Sequence, residues 1–319
     1  MLNVRSASHA GSWYSAYGST LERQLNAFFA KAKSISHSLS GENTHQSIPG
    51  ARILIGPHAG YLYSGERLAE AFNVWDTSKV KRVFMLGPSH HVYFKSKALV
   101  SRFDAYETPL GNIPVDTEVA KALVAGKGFR YMSEEVDEEE HSFEMHAPFI
   151  YYATQHLPQG VPKIVPIMIS DMDDKLSSTI VEALLPFLED EGNHFIISSD
   201  FCHWGARFGY TQYLAANTPL SGLATLTSSR QVTTPIHKSI EALDKAAMEI
   251  ASKGDSQQWD EYIITTGNTI CGHMPISVVL KLLERFGGPG FEWIGYSQSN
   301  SVKSIHETSV SYASGYVKI

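Results

Sequence analysis

Three apolar runs of this chain stop abruptly at glycine, proline or serine, and a histidine follows each stop. Residues 51–55 (ARILI) lead into Gly56-Pro57-His58, and residues 81–86 (KRVFML) into Gly87-Pro88-Ser89-His90-His91. Residues 195–197 lead into Ser198-Ser199-Asp200-Phe201-Cys202-His203-Trp204-Gly205. An imidazole can ligate a transition metal or carry a proton near neutral pH. One loop histidine means little, because such rings often do no more than bond a nearby carbonyl. Three, each flanked by residues that tighten a turn, are spaced for a shared polar pocket. Asp200 and His203 add an acid–imidazole pair, suited to proton transfer or to orienting metal ligands. An aspartate that merely caps the turn is the plainer alternative.

Other candidates are weaker when taken alone. Cys271 lies in Asn268-Thr269-Ile270-Cys271-Gly272-His273-Met274-Pro275, just ahead of a helix that Pro275 suits in its first turn. The positive end of that helix would favour a thiolate, yet a free cysteine is more often a small buried hydrophobe. Cys202 is expected to point into the core. Glu140-His141-Ser142-Phe143-Glu144-Met145-His146 invites comparison with HExxH zinc proteases, whose histidines stand four apart on one helical face. Here they are five apart, about 140° around a helix axis. The segment reads instead as a helix start behind an acidic lead, with His141 or Glu144 able to line a pocket. Near the N-terminus, Ser8-His9-Ala10-Gly11-Ser12-Trp13-Tyr14 can cover a pocket with Trp13, or simply anchor a terminal arm.

The elements that must position these groups are legible as alternating patterns. The apolar runs, with a fourth at 163–169, are short and continuously apolar, as strands buried on both faces are. Between them lie helical patterns at 65–74, 141–157, 173–189 and 237–252. Pro186 is placed to bend the third, and Gly254 to close the fourth. Further strands are expected at 291–297 and 309–317. The expectation is a single α/β domain over residues 1–319, a central mixed or parallel sheet flanked by helices. In such sheets ligands bind beyond the carboxyl ends of the strands, where the histidines fall. Residues 34–50, Ser-rich and ended by Pro-Gly, read as a flexible surface loop.

Composition narrows the function. The 319 residues are 43% hydrophobic and 18% charged, enough for a large core, and the net charge is −7 without a basic cluster. Nucleic acid is thereby disfavoured as a partner. No apolar stretch has the roughly 20 residues needed to cross a bilayer, so membrane insertion is not expected. Two cysteines and no apolar leader point to a reducing compartment, cytoplasm or nucleus.

Several of these motifs together resemble one family. ASHAGSWY, PHAGYLYSG, LGPSHH, EHSFEMH, SSDFCHWG, NTICGHMP and TSVSYASGY are similar to segments of the Memo family, from about Ala7 to Tyr316. Its eukaryotic members are named as mediators of ErbB2-driven cell motility. The 34–50 loop is longer than the family pattern. The resemblance implies a fold similar to class III non-haem iron extradiol dioxygenases and a metal held by His58, His90 and Cys271, with Asp200 and His203 beside it. A two-histidine, one-thiolate set suits iron or copper, with zinc possible. Thiolate in place of carboxylate argues against ring cleavage. The resemblance also implies links to receptor signalling, motility, the cytoskeleton and invasive growth. The leading expectation is a redox metalloprotein. Its rival is a metal buffer or signalling adaptor that takes a signalling or cytoskeletal protein, or a phosphopeptide, across Trp13 and Tyr63. Hydrolysis by zinc-activated water, with His203 as base, ranks third.

Overall fold

A computed structural model of the chain describes residues 2–35 and 38–319. Its nine-stranded main sheet comprises, in chain order, β1 (Ala51–Gly56), β2 (Arg82–Gly87), β3 (Ala98–Val100), β4 (Phe129–Tyr131), β5 (Lys163–Met168), β6 (Asn193–Ser198), β7 (His203–Trp204), β8 (Glu292–Gln298) and β9 (Ser309–Lys318). The spatial order is β7-β9-β1-β6-β2-β5-β3-β4, with β8 also paired to β9. The central strands β1, β6, β2 and β5 are mutually parallel. β9 joins β1, and β3 joins β5, antiparallel. The sheet is therefore mixed, and the domain is α/β.

Side-chain alternation accounts for the layers. Ile53, Ile55, Phe84, Leu86, Val165, Ile167, Phe195 and Ile197 enter one core, whereas Leu54, Val83, Met85, Ile164, Met168 and Ile196 enter the other. Successive residues point to opposite faces, so a strand covered on both sides must be apolar at nearly every position. The first core is closed by α7 (Asp174–Glu189), α8 (Ile236–Lys253), α9 (Ser256–Thr266) and α10 (His273–Phe286). The second is closed by α1 (Gly18–Lys33), α2 (Tyr61–Val74) and α6 (Ala147–Thr154). The short helices α3 (Thr117–Ala125), α4 (Glu134–Glu139) and α5 (His141–Glu144) complete the set.

Several boundaries depart from expectation for local reasons. α2 starts one turn early because the Trp13 carbonyl accepts the Tyr61 N–H at 3.0 Å, satisfying a free helix-end donor. The expected helix over 141–157 is broken into α5 and α6, with Pro148 in the first turn of the second. The acidic lead forms a helix of its own, α4, capped by Ser133. Pro186 lies inside α7, and Gly254 closes α8 at φ 70°. Of the expected 34–50 loop, Ser36 and His37 lie outside the described residues. The rest carries no helix or strand beyond the end of α1, but Leu39 and Ser40 N–H groups bond the carbonyls of Ile294 and Trp293 at 3.1 and 3.0 Å. Among the described residues no helix is long and apolar enough to cross a membrane.

Candidate metal centre

β1, β2 and β6 end side by side, and the loops beyond them carry His58, His90 and Asp200 into one pocket. Two glycines allow the close approach. A Cβ on Gly272 would stand 2.4 Å from Cβ of Ser199, so only glycine lets the start of α10 lean against the exit of β6. A Cβ on Gly87 would stand 2.8 Å from the Ser142 hydroxyl, where α5 packs over β2. The first contact sets Cys271 before the N-terminus of α10; the second brings Glu140 and His141 over His90.

His58 is buried, and its Nε2 stands 3.1 Å from Sγ of Cys271. Its tautomer follows from one hydroxyl. Ser198 Oγ donates its single proton to the Ser142 carbonyl at 2.6 Å, so toward His58 Nδ1, at 2.7 Å, it can only accept. Nδ1 therefore carries the proton, and the Nε2 lone pair faces the sulfur. The His58 N–H donates to Asp200 Oδ1 at 2.8 Å, and the Asp200 N–H donates to Cys271 Sγ at 3.3 Å. Asp200 thus fixes the backbone of one ring loop and touches the sulfur from the other side.

His90 is held by a carboxylate. Glu140 accepts the His90 N–H on Oε2 and bonds Nδ1 through Oε1, both at 2.8 Å. This arrangement turns Nε2 inward, the orientation that carboxylate-held metal ligands adopt. Burial alone would raise the Glu140 carboxyl, but the His90 bond and nearby imidazoles hold it down at about 2. Burial works against a charge on His90, yet hydrogen bonds to Cys271 and Glu140 push it up to about 10. Burial pushes the Cys271 thiol up, and burial with the neighbouring imidazoles pushes His58 well down.

A third imidazole completes the pocket. His141 stacks on His90 with centroids 4.3 Å apart, and its centroid lies 5.2 Å from that of His58. One ligand nitrogen from each of His58, His90 and His141 lies within 4.8 Å of the others, so the three form a group that could hold a metal ion. Burial and His90 lower His141 to about 3, leaving it neutral, as a ligand must be. The sequence offered His141 only as a pocket-lining residue.

The remaining expected residues are dispersed around this centre. Trp13 lies over His141 at 4.5 Å between ring centroids, so the N-terminal arm packs against that ring. Tyr63 is half exposed on the first turn of α2. His203 is oriented by the carbonyls of Phe201 and Thr269, 3.0 and 3.1 Å from its Nδ1. Cys202 is buried in a separate apolar cluster with Trp204 and Tyr210. Ser198, Glu140 and Glu144, which orient the rings, escaped the sequence reading as orienting groups. Glu140 at the expected helix start, with Glu144 four residues on, was the available signal.

The chain is an α/β domain with an open mixed sheet, and its imidazoles and thiol gather beyond the carboxyl ends of the parallel strands, the edge where sheets of this class bind ligands. The comparisons make this specific: the chain belongs to the family described as Memo-like protein, whose family model matches residues 5–316. It is similar to MEMO1 family protein MHO1 of Saccharomyces cerevisiae, 40% identical over the whole of both chains. It is 38% identical to Protein MEMO1 of Xenopus laevis, over 98% of this chain and 96% of the relative. It is 34% identical to Protein MEMO1 of Mus musculus, over 99% and 97%.

Proposed function

We propose that the protein is a redox-active metalloprotein that holds iron or copper on His58, His90 and Cys271, with His141 as an additional or alternative ligand. The observation that carries this reading is the inward lone pair of His58 Nε2, 3.1 Å from the Cys271 sulfur. Both histidines spend Nδ1 on an outer partner, Ser198 or Glu140, which is how metal-binding imidazoles are aimed. The imidazole–thiolate mixture suits copper or iron, with zinc admissible. A bound ion would supply one-electron chemistry toward O₂ or a small reductant. The protein's own part is to aim the imidazoles of His58 and His90 at the sulfur, to lay Trp13 over His141, and to offer His203 as a proton acceptor or donor. Asp200 holds the His58 loop in place. Sulfur where ring-cleaving dioxygenases carry a carboxylate argues against that reaction here. Two free cysteines fit a reducing compartment, cytoplasm or nucleus.

Elemental analysis of anaerobically purified protein, followed by oxygen uptake with a reductant, tests the reading. About one iron or copper per chain and uptake that vanishes in Cys271→Ala are expected. Metal-free protein that cannot be loaded, or unchanged uptake in the variant, refutes it.

A second reading is favoured by the surface beside the pocket. Leu62 and Tyr63 are exposed next to Trp13, an apolar rim suited to a peptide from a signalling or cytoskeletal partner. In that role the metal is buffered or structural. Partner capture that survives metal stripping and His58→Ala would support it, and capture lost with the metal would count against it.

A further inference from the structure

His9 is held in the same way as His90. Its N–H donates to Glu144 Oε1 and its Nδ1 bonds Glu144 Oε2, both at 2.8 Å, as His90 uses the two oxygens of Glu140. The two glutamates bracket α5 one turn apart. Arg5, fully buried, clamps both: it donates to Glu144 Oε2 and to the Glu140 carbonyl at 2.7 Å each. Glu144 also accepts the Tyr14 hydroxyl, at 2.8 Å. A carboxylate on Nδ1 leaves Nε2 as the free lone pair, so His9 is prepared as a ligand by the same device as His90.

The metal centre does not use His9. Its ring faces a surface groove instead, lined by Ser8, His9, His91, Glu135, Glu138 and Glu139. Among the described residues none of those three glutamates is in a salt bridge with lysine or arginine. The groove connects inward through imidazoles. His9 and His91 lie 5.8 and 6.4 Å by ring centroid from His141, which stacks at 4.3 Å on His90. Imidazole rings thus run stepwise from the acidic surface to the buried sulfur.

We propose that His9, with the carboxylates of this groove, forms an outer capture position through which a transition-metal cation is loaded by way of His141 onto His58, His90 and Cys271. The inference rests on the metal reading of that centre and adds a route to it. The groove's donors are spread too widely for a tight site, and a transfer position has to release what it takes up. Negative charge lining an open groove raises the local cation concentration, and the effect weakens as salt screens it. His9 then makes the first imidazole bond, and each later step exchanges one nitrogen donor for the next.

Cobalt(II) is the probe, because its thiolate charge-transfer absorption appears only when the metal reaches Cys271. Anaerobic metal-free protein is mixed rapidly with excess cobalt(II), and the rate and final height of the band are recorded. In His9→Ala, and in Glu135→Gln with Glu139→Gln, the band should rise about tenfold more slowly to an unchanged final height. The glutamate pair is exposed, which guards against a folding artefact in the first variant. The wild-type rate should fall with added salt, and the double glutamine variant should lose most of that dependence. A full band at wild-type rate in both variants overturns the capture route and leaves the metal centre intact. No band in the wild type overturns the centre, and the route falls with it.

Discussion

The molecule contains two buried polar clusters, each with a cysteine, and they are built on opposite terms. Around Cys202, Asp244 Oδ1 accepts the Cys202 N–H and the Asn268 amide at 3.2 Å each, and Oδ2 accepts the Tyr296 hydroxyl at 2.8 Å. Asn268 also donates to the Tyr262 hydroxyl, which in turn bonds the Leu243 carbonyl. These bonds tie α8, α9 and the last strands together, and apart from the unpartnered Asn268 Oδ1 the donors and acceptors named here are spent on one another. Around Cys271, Ser198, Glu140 and Asp200 face outward-pointing atoms, while His58 Nε2 and the sulfur face each other across the pocket. A structural cluster closes nearly all of its valences; a ligand site aims them at a common point. Burial alone does not separate the two, but the direction of the lone pairs does.

The sharpest way to break this contrast is to exchange each sulfur for oxygen. Cys271→Ser should lower affinity for iron or copper by more than a hundredfold, since the loss of an outer partner alone costs 10–100-fold. Cys202→Ser should leave affinity unchanged. Competition against a chelator of known strength reads both, and equal affinities in the two variants would dissolve the distinction.

The next effect lies in the structural cluster. Burial raises the Asp244 carboxyl to about 6 from an ordinary 3.8. Between those values the unfolded chain has released a proton that the folded protein still holds, so stability falls as pH rises through the window and levels off above it. The shift corresponds to roughly 3 kcal/mol. Chemical denaturation of wild type and Asp244→Asn across this range should show the wild type losing that amount relative to the variant. Parallel profiles would mean that Asp244 is already ionised throughout.

How much of this contrast the sequence discloses follows from where each signal resides. The strands were readable because a run buried on both faces must be apolar throughout, and their ends were readable from Gly56, Gly87 and Ser198. His58, His90 and Asp200 could therefore be placed at one edge of a sheet. The local signal for Cys271 was weak: the helix start after it favours a thiolate, but a buried thiol remained the commoner fate, and the motif resemblance singled it out. His141 was obscured because its segment reads as one long helix, whereas it opens the short helix α5 directly after Glu140. The partners Ser198–His58 and Glu140–His90 join residues 140 and 50 positions apart. Such pairings depend on tertiary packing and leave no trace in periodicity. The short strands β3 and β4 were missed for the same reason.

Glu140 allows the contrast to be sharpened within the ligand site. Glu140→Gln keeps the volume but removes the charge that aims His90, and an amide nitrogen facing Nδ1 or the His90 N–H would repel it. Metal affinity should drop 10–100-fold with little loss of fold. A calorimetric titration of the metal-free variant reads this directly. Affinity within twofold of wild type would show that His90 is oriented by packing alone.

The smallest effect concerns a histidine that belongs to neither cluster. His146 is buried beside Leu68, Phe72 and Gly56, and apart from a weak approach to the Gly56 backbone its ring nitrogens have no hydrogen-bond partner. Burial lowers its pKa to about 3, so the ring is neutral. A buried polar atom left unbonded costs about 1–3 kcal/mol, and replacing it with an apolar group of similar shape recovers part of that. His146→Phe should therefore raise stability by about 1 kcal/mol, the gain being limited by the larger ring in a packed core. Thermal and denaturant unfolding of metal-free protein check this without reference to the metal. Destabilisation beyond about 1 kcal/mol would show that the ring nitrogens are satisfied in solution, and His146 would then join the polar architecture behind His58 instead of standing outside it.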